Sequence, residues 1–294
     1  MGEQVDEVKR EKVRVIPLHC IDDFPDHPFL VKDDESMEQL MHSIEMNGVL
    51  NPVIARKKEG ERYELISGHR RKHACERLGI EVIPIIVREL SREEAIIEMV
   101  DSNLQREYIL PSEKARAYKM KMDALKRQGK RTDLTSTPVA GKLKERETAS
   151  IVGLSNGESG DQVRRYIRLN ELTPELLEFV DEGKIGMRPA VELSYLQEEE
   201  MRDVVDFIDT EGIFPSHAQT IRMRALSKEG KLDTEAINDI MYEEKPNQKP
   251  RLKIAVEKIE KYFLPGTSQQ QMEDTIVKAL ALYRQRQRES RDAR

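Results

Sequence analysis

Hydrophobic and polar positions divide the chain into a first part of short strands and helices and a second part that is helical throughout. Short apolar or alternating runs predict four strands in the first part: Val13–Leu18, Pro52–Arg56, Tyr63–Ile66 and Val82–Val87. Capping boxes mark two helix starts, Ser36 with Gln39 and Ser91 with Glu94. Ile21–Lys32 is interrupted by prolines and is predicted to be a loop. The pattern therefore predicts an α+β unit over residues 1–110.

Helical periodicity continues from residue 111, with one interruption. Pro111–Gly129 is predicted to be a long basic helix, and Gly129–Lys144, which is rich in Ser, Thr and Gly, a mobile loop. Two short helices follow at Arg146–Gly153 and Ser159–Leu169, and their spacing predicts a helix-turn-helix unit. Five further helices are predicted before residue 244: Glu175–Asp181, Pro189–Leu196, Glu198–Thr210, Ser216–Leu226 and Thr234–Glu243.

The two ends of the chain carry weaker patterns. Met1–Lys12 is predicted to be a frayed leader, and Glu244–Arg251 a polar linker with two prolines. Lys253–Phe263 and Gln269–Gln287 are predicted to form a small helical tail, and residues 284–294 are expected to be disordered. The apolar stripe of this tail is too small to fold alone, so it should pack on a partner copy or on the rest of the chain. The predicted domains are 1–110, 111–243 and 244–294.

Composition limits the classes of function. The chain has a net charge of −6, which excludes a uniformly basic nucleic-acid coat, so any DNA binding must come from a local patch. No run reaches the apolar length of a membrane span, and Met1–Lys12 is too charged for a signal peptide. Cys20 and Cys75 lie outside any zinc-ligand spacing, and His69 with His73 lacks a third ligand, so both histidines are interpreted as polar-face residues. A cytoplasmic protein without a zinc site is expected.

The first candidate for a binding site is Tyr63–Ala74, which reads YELISGHRRKHA. The pattern predicts a strand, a tight glycine turn and a helix, with Arg70 and Arg71 in the first helical turn. Cations are normally disfavoured at that end of a helix, because free N–H groups and the positive end of the helix dipole lie there. A bound anion, gripped by the arginine forks, would explain both residues. A solvated basic helix start with a local salt bridge is the alternative that this stretch leaves open.

A second polar cluster closes the helix that begins at Ser91. Asp101–Glu107 reads DSNLQRE, and a hydrophobic core would not favour these side chains. The amide oxygen of Asn103 could hold a metal-bound phosphate, and Arg106 could pair with another phosphate. Alternatively, both residues merely cap the helix.

These stretches resemble motifs of ParB-type partition proteins. GHRRKHA resembles the family's GERRxRA motif, SNLQRE resembles ENLQR, and Asn47–Arg56 resembles its glycine–proline box through Gly48, Pro52 and Val53. The likeness extends in order over about Val13–Leu226. It is greatest to ParB-like proteins of conjugative and integrative elements of Gram-positive gut bacteria, which share four runs: HPF at His27–Phe29, SGHRRK at Ser67–Lys72, MVDSNLQRE at Met99–Glu107 and LPSEKA at Leu110–Ala115.

The resemblance implies a fold and a set of ligands. The fold would be an α+β N-terminal ParB/sulfiredoxin-like domain, an all-α helix-turn-helix domain and a small helical C-terminal tail. The ligand would be CTP with Mg²⁺, and the implied nucleotide-binding residues are Gly48, Pro52, Gly68, His69, Arg70, Arg71, Asn103 and Arg106, of which Asn103 would also place the metal. In the family, nucleotide closes two protomers into a clamp around double-stranded DNA, so a homodimer and a ParA-type ATPase partner are implied.

Two departures from the family motifs bear on turnover. His69 and Ser102 stand where the family has glutamates that serve metal placement and hydrolysis, so at most weak CTP hydrolysis is expected and no catalytic residue is assigned. Sulfiredoxin shares the N-terminal fold, but Gly68 stands where its reactive cysteine would be, so thiol chemistry is not expected. A site-specific transcriptional regulator with a degenerate nucleotide pocket remains the alternative.

The second helix of the predicted helix-turn-helix unit is the candidate for reading DNA. Val163, Tyr166 and Ile167 fall on one face. The predicted DNA-binding residues lie on the other faces and at the start of the helix: Ser159, Gly160, Asp161, Gln162, Arg164, Arg165 and Arg168. Small side chains at Ser159 and Gly160 would let the helix tip approach base edges. The helix and loop of Lys114–Arg131 would grip phosphates, and a plain helical pair is the alternative.

Overall fold

A computed structural model describes residues 12–106, 108–130 and 138–243, together with scattered positions between 259 and 283. The chain forms two compact units, Met1–Glu243 and Glu244–Arg294. No helix among these described positions is long and apolar enough to cross a membrane. The site discussed below lies entirely in the first unit.

A five-stranded mixed sheet organises the N-terminal part. Its strands are β1 (Val13–Pro17), β2 (Ile21–Asp22), β3 (Val53–Lys57), β4 (Tyr63–Ser67) and β5 (Val82–Arg88), in the order β1-β5-β3-β4-β2. The β1–β5 and β3–β4 pairs are antiparallel, whereas β3–β5 and β2–β4 are parallel. The four predicted strands are confirmed. The predicted loop over Ile21–Lys32 is wrong at its start, because Ile21 and Asp22 pair with Tyr63 and Glu64.

Helices cover both faces of the sheet. Helices α1 (Glu35–Asn47) and α2 (His69–Arg77) lie on one face, and α3 (Arg92–Leu104) and α4 (Pro111–Lys130) on the other. The alternation of β3 produces this division, since Val53 and Ala55 point toward α1 and α2 while Ile54 points toward α3.

The starts of α1 and α3 test the two predicted capping boxes. The box at α3 is confirmed, because the Ser91 hydroxyl accepts from the Glu94 amide and the Glu94 carboxylate accepts from the Ser91 amide. The box at Ser36 is wrong. Asp34 caps α1 instead, and its carboxylate accepts from the Met37 amide at 2.9 Å. The helix therefore begins two residues earlier, at Glu35, and Ser36 lies in its first turn.

Between residues 138 and 243 the structure has seven further helices: α5 (Pro138–Leu154), α6 (Gly160–Arg168), α7 (Pro174–Asp181), α8 (Met187–Leu193), α9 (Glu198–Glu211), α10 (His217–Lys228) and α11 (Thr234–Tyr242). The predicted loop over Gly129–Lys144 is wrong in its last part, because α5 already begins at Pro138, where a proline fits the first helical turn. Residues 131–137 lie outside the described residues. All five helices predicted between residues 175 and 243 are present with shifted ends.

Helix α4 contributes to three hydrophobic clusters. Ala117 packs with α3 and the sheet, Tyr118 and Met122 pack with α5 and α6, and Ala115 packs with the core of α7 to α11. Of the predicted tail, residues 271–272, 274–276, 278–280 and 282–283 are helical. Residues 1–11 of the predicted leader and most of the rest of the tail lie outside the described residues. Self-association of the tail therefore stays a prediction.

Candidate functional site

A cleft of about 900 Å³ opens where α1 and α2 begin and α3 ends. Seven of the eight residues predicted for nucleotide binding line it: Pro52, Gly68, His69, Arg70, Arg71, Asn103 and Arg106. Gly48 is not among the lining residues and instead ends α1 with a φ of 70°. The lining includes three arginines and no Asp or Glu, so the cleft is chemically suited to an anion.

Gly68 forms the turn that brings β4 into α2. It is the N-cap of α2 with a φ of 103°, a backbone conformation that side chains disfavour. A Cβ atom at this position would lie 2.6 Å from Cγ1 of Val53 and 3.1 Å from a terminal nitrogen of Arg71. The turn therefore requires glycine, and the close approach fixes α2 against the start of β3.

Arg71 is held on the protein side of the cleft. Its guanidinium donates to the backbone carbonyls of Asn51 and Pro52, at 2.8 Å for Pro52, and burial lowers its pKa from the usual value. Arg71 thus fixes the chain entering β3 and presents the rest of its fork to the cleft.

Arg70 lies closer to solvent and joins the starts of α1 and α2. It donates to the Ser36 hydroxyl, lies 3.8 Å from the Asp34 carboxylate and keeps 38% of its side chain exposed. Ser36 and Gln39, in the first turns of α1, also line the cleft. Two helix starts therefore face one space, and each contributes free amide groups and the positive end of its dipole.

The end of α3 supplies the opposite wall. Asn103 is buried and its amide nitrogen donates to the Met99 carbonyl at 2.8 Å, which leaves the amide oxygen as the acceptor for a ligand. The Ser102 hydroxyl donates to the same carbonyl at 3.0 Å. Arg106 lies over the Phe29 ring at 5.6 Å, and desolvation lowers its pKa. A guanidinium held on an aromatic face keeps its edge available for phosphate oxygens.

A histidine pair lies beside these cations, with His69 in the lining of the cleft and His27 stacked on it. The rings of His27 and His69 stack with centroids 3.7 Å apart, and His27 Nδ1 lies 2.7 Å from the Phe29 carbonyl. Burial, followed by the positive charges nearby, lowers the pKa of His69 to about 3, and burial also lowers that of His27. Both rings are therefore neutral near pH 7. Their Nε2 atoms are buried and have no hydrogen-bond partner in the described part of the chain.

The interpretation of His69 and His73 as two polar-face residues is wrong for His69. His69 turns inward against His27, whereas His73 lies outside and contacts the Asp33 carboxylate at 2.9 Å. Sequence periodicity could not reveal the stack, since its partners lie 42 positions apart and on different elements.

The LPSEKA run contacts the loop of the HPF run, whose residues lie next to the cleft. Glu113, a buried carboxylate in the LPSEKA run, accepts from the Leu30 amide at 2.8 Å and from the Leu110 amide at 3.2 Å. This contact fixes the loop that carries His27 and Phe29 to the start of α4. The HPF and LPSEKA runs thus act together to position the histidine pair and the ring under Arg106.

The cleft offers few ligands to a metal. Its lining lacks carboxylates, and within the described ranges no group of three His, Cys, Asp or Glu side chains could hold a metal ion. Asn103 and Ser102 provide only neutral oxygens. A Mg²⁺ ion would therefore depend mainly on the phosphates of its own ligand.

The helix pair α5–α6 holds the predicted DNA-binding residues. The Ser159 hydroxyl caps α6 by accepting from the Gln162 amide at 3.2 Å. A Cβ on Gly160 would lie 2.8 Å from the Ser150 hydroxyl oxygen, so the small size of Gly160 serves close packing on α5. Val163 is buried as its position predicts. The structure thus gives both small residues a local structural role.

The charged residues of α6 differ in their surroundings. Arg164 pairs with Asp161 on the same helix, and Arg165 is exposed. Arg168 donates to the hydroxyl of Ser194 at 3.0 Å and to its carbonyl at 2.6 Å, which ties α6 to the end of α8. Arg165 is therefore the arginine of α6 with the greatest freedom to contact a partner.

The turn before α6 is fixed to α4 through charged side chains that are buried or half-buried. Glu158 accepts from Lys114 and from the Tyr118 hydroxyl, the latter at 2.9 Å. Lys121 donates to Asp101 of α3 and to the Ser155 hydroxyl. Lys114 and Lys121 of the helix predicted to grip phosphates are thus engaged in ion pairs within the protein, and phosphate contact by the rest of that helix stays a prediction.

Comparisons with known proteins agree with the motifs. The family model of the ParB N-terminal domain matches residues 2–104. The chromosome-partitioning protein Spo0J of Thermus thermophilus is 31% identical over 209 residues, covering 71% of this chain and 70% of that protein. The nucleoid occlusion protein of Listeria innocua is 31% identical over 202 residues, covering 68% and 64%. A crystal structure of C-terminally truncated ParB from Caulobacter crescentus complexed with CTP-gamma-S is 24% identical, covering 67% of this chain and 99% of that one, with a TM-score of 0.31.

Proposed function

This chain belongs to the ParB/Spo0J family of partition proteins, and from that premise we propose that it binds duplex DNA and holds a ribonucleoside triphosphate in the cleft between α1, α2 and α3. The observation that supports nucleotide binding is that three arginines and two helix starts converge on one cleft whose lining has no carboxylate. Cytosine is the base that the motif resemblance implies.

The residues of the cleft would have different roles in binding the triphosphate. Arg70 and Arg106 would grip phosphate oxygens, since each fork can form two charge-assisted hydrogen bonds. Arg71 would act partly through position, because it already holds the carbonyls of Asn51 and Pro52. The backbone at Gly68 would approach the phosphates at the start of α2. Asn103 would offer its amide oxygen to a Mg²⁺ ion that arrives with the triphosphate.

Turnover would be slow. Hydrolysis needs an oriented water and a well-placed metal, and the cleft offers neutral His69 and Ser102 where two carboxylates would serve better. Any response of the protein to nucleotide would then come from binding rather than from rapid hydrolysis.

The DNA-binding surface would centre on α6, which the α5–α6 geometry presents as a second helix after a tight turn. Arg165 would reach base edges or phosphates, and Arg164 would have to exchange its pairing with Asp161 for one with DNA. We propose further that two protomers close on DNA when triphosphate binds, that a ParA-type ATPase is the partner in segregation, and that the protein serves a mobile element.

Nucleotide binding is tested by titrating labelled CTP, ATP, GTP and UTP, with and without element DNA. Arg70→Ala should weaken binding of the preferred triphosphate roughly tenfold or more, since a charge-assisted bond contributes about 1.5–3 kcal/mol. Arg70→Lys should be intermediate, because it keeps the charge and loses the fork. Arg77→Ala is the matched control, since Arg77 lies on the same helix but pairs with Asp33 and Glu38 outside the cleft.

The outcomes separate the candidate functions. Equal losses in Arg70→Ala and Arg77→Ala would mean that the cleft does not hold the phosphates. If the protein binds element DNA but binds no triphosphate even with that DNA present, a transcriptional regulator with a degenerate pocket would remain. Unchanged affinity for every element fragment after combined Arg164→Ala and Arg165→Ala substitution would remove α6 from the DNA contact.

A further inference from the structure

A second cleft lies between the start of α3 and the outer face of α4. Its volume is about 320 Å³, and it shares no lining residue with the first cleft. Four cations and two carboxylates surround it: Arg92, Arg116, Lys119, Arg127, Asp26 and Asp123. Phe24, Ile96 and Met120 form apolar parts of the wall. The local excess of positive charge contrasts with the net charge of −6 of the whole chain.

These cations lack the partners that other cations of α4 have. Lys114 and Lys121 pair with Glu158 and Asp101. Within the residues described here, Arg92, Lys119 and Arg127 make no ion pair, and Arg116 makes only a 3.4 Å hydrogen bond to Ser112. Folding therefore gains little from these four side chains, and their grouping is best explained by an external anion.

The arrangement along α4 suits an extended anion. Arg116, Lys119 and Arg127 follow one another at intervals of three and eight residues and lie along the same cleft. With a rise of about 1.5 Å per residue, the first and last are separated by roughly 16 Å along the axis. A single small phosphate would meet only part of this row, whereas one strand of a nucleic acid can follow it.

The second cleft is also fixed to the helix proposed to read DNA. Asn170, two residues after the end of α6, is a wall residue of the cleft. Its side-chain amide donates to the carbonyls of Ala115 on α4 and Ile167 on α6, at 3.0 and 2.8 Å. A backbone phosphate held in the cleft would therefore lie at a fixed position relative to α6.

We propose that this second cleft is a sequence-independent binding site for the sugar-phosphate backbone of duplex DNA. The inference rests on the proposed function in that α6 supplies the specific contact, and it adds a separate anchor built from α3 and α4. Phosphate contacts of this kind fix the register of a protein on DNA without reading bases.

The test measures binding of a random-sequence 24-base-pair duplex by fluorescence anisotropy across a series of salt concentrations. The neutralised variant combines three substitutions: Arg92→Gln, Lys119→Gln and Arg127→Gln. If all three cations contact phosphates, the slope of log K against log salt should become shallower by about 2.7, since each contact contributes about 0.9. Affinity at low salt should fall at least tenfold.

The matched control removes three cations that already have carboxylate partners: Lys184→Gln, Arg202→Gln and Lys231→Gln, paired with Glu182, Glu198 and Glu229. Its slope should stay close to that of the wild type, although the net charge changes equally. Both variants should bind triphosphate normally, which shows that they fold and keeps the first cleft out of the result.

Three outcomes would overturn the proposal. One is an equal change of slope in the neutralised variant and the control, which would mean that the slope reports only the net charge of the protein. Another comes from a parallel titration with pyrophosphate: if the neutralised variant loses pyrophosphate binding while its duplex binding is unchanged, the cleft is a site for free phosphorylated molecules. The third is a wild type that does not bind random duplex at low salt. The proposed function fails separately, when combined Arg164→Ala and Arg165→Ala substitution leaves discrimination between element fragments and random duplex unchanged.

Discussion

The contact between Gly68 and Val53 gives a prediction whose size follows from the structure. In Gly68→Ala the new methyl group would meet Cγ1 of Val53 at 2.6 Å and its Cβ at 3.0 Å. Val53 is fully buried, so it has no room to withdraw. The backbone φ of 103° adds a second penalty, because a side chain disfavours this conformation.

The expected loss is the sum of these effects. Left-handed backbone strain costs about 1–2 kcal/mol and overpacking about 1–3 kcal/mol, while the stiffer unfolded chain returns about 0.4–1 kcal/mol. The free energy of unfolding should therefore fall by about 2–4 kcal/mol. Triphosphate affinity should fall as well, because a shift of Val53 would disturb the carbonyls that Arg71 holds.

Urea unfolding of Gly68→Ala and of Gly79→Ala measures the two penalties separately. Gly79 also has a positive φ, of 68°, but a Cβ there would meet no atom within 4 Å. Gly79→Ala should thus show strain without the clash, and it should leave triphosphate binding unchanged. Adding Val53→Ala to Gly68→Ala should reveal a favourable coupling of about 1–3 kcal/mol. Equal losses in both alanine variants, with no coupling to Val53, would refute the reasoning.

The remaining predictions concern the histidine pair, the buried lysine and turnover. His27 and His69 are neutral when folded near pH 7 and take up protons on unfolding, so the free energy of unfolding should fall as the pH drops below about 6.5. For His69, whose folded pKa is about 3, the fall should continue toward pH 4 at up to about 1.4 kcal/mol per pH unit, and the lowered pKa of His27 acts in the same direction. His69→Gln should make this dependence shallower in urea titrations at several pH values, and an unchanged slope would contradict the burial of His69. Lys121→Met should cost about 1–3 kcal/mol, because it leaves the half-buried Asp101 without its partner, while Lys119→Met on the exposed side of α4 should cost less than about 0.5 kcal/mol. Phosphate release from CTP with DNA present should be slow or absent, and brisk release would show that a water is activated without a carboxylate in the cleft.

Local patterns predicted the elements around the cleft well. Short apolar or alternating runs located the four main strands, and the Ser91 and Glu94 box marked the start of α3 correctly. The motif resemblance brought Arg70 and Asn103 to one site although 33 positions separate them. These features are readable because each is encoded within a few consecutive residues.

Features that depend on distant partners were not readable. Strand β2 has only two residues and is defined by its pairing with β4. Asp34 replaced Ser36 as the cap of α1, because two good capping residues compete locally and the periodic pattern does not decide between them. Arg168 was expected on DNA, yet the end of α8 supplies it with two acceptors that no local pattern shows.

The position of α4 against three hydrophobic clusters limits how the chain can be recombined with its relatives. A crossover between residues 104 and 111 would join an α3 from one parent to an α4 from another. The new α4 would have to pack against α3 and a sheet from the other parent. It would also have to keep its packing against α5, α6 and the core of α7 to α11. Productive chimeras should therefore inherit α3, α4 and the α5–α6 pair from a single parent, and exchange of the first cleft alone should require compensating changes along one face of α4.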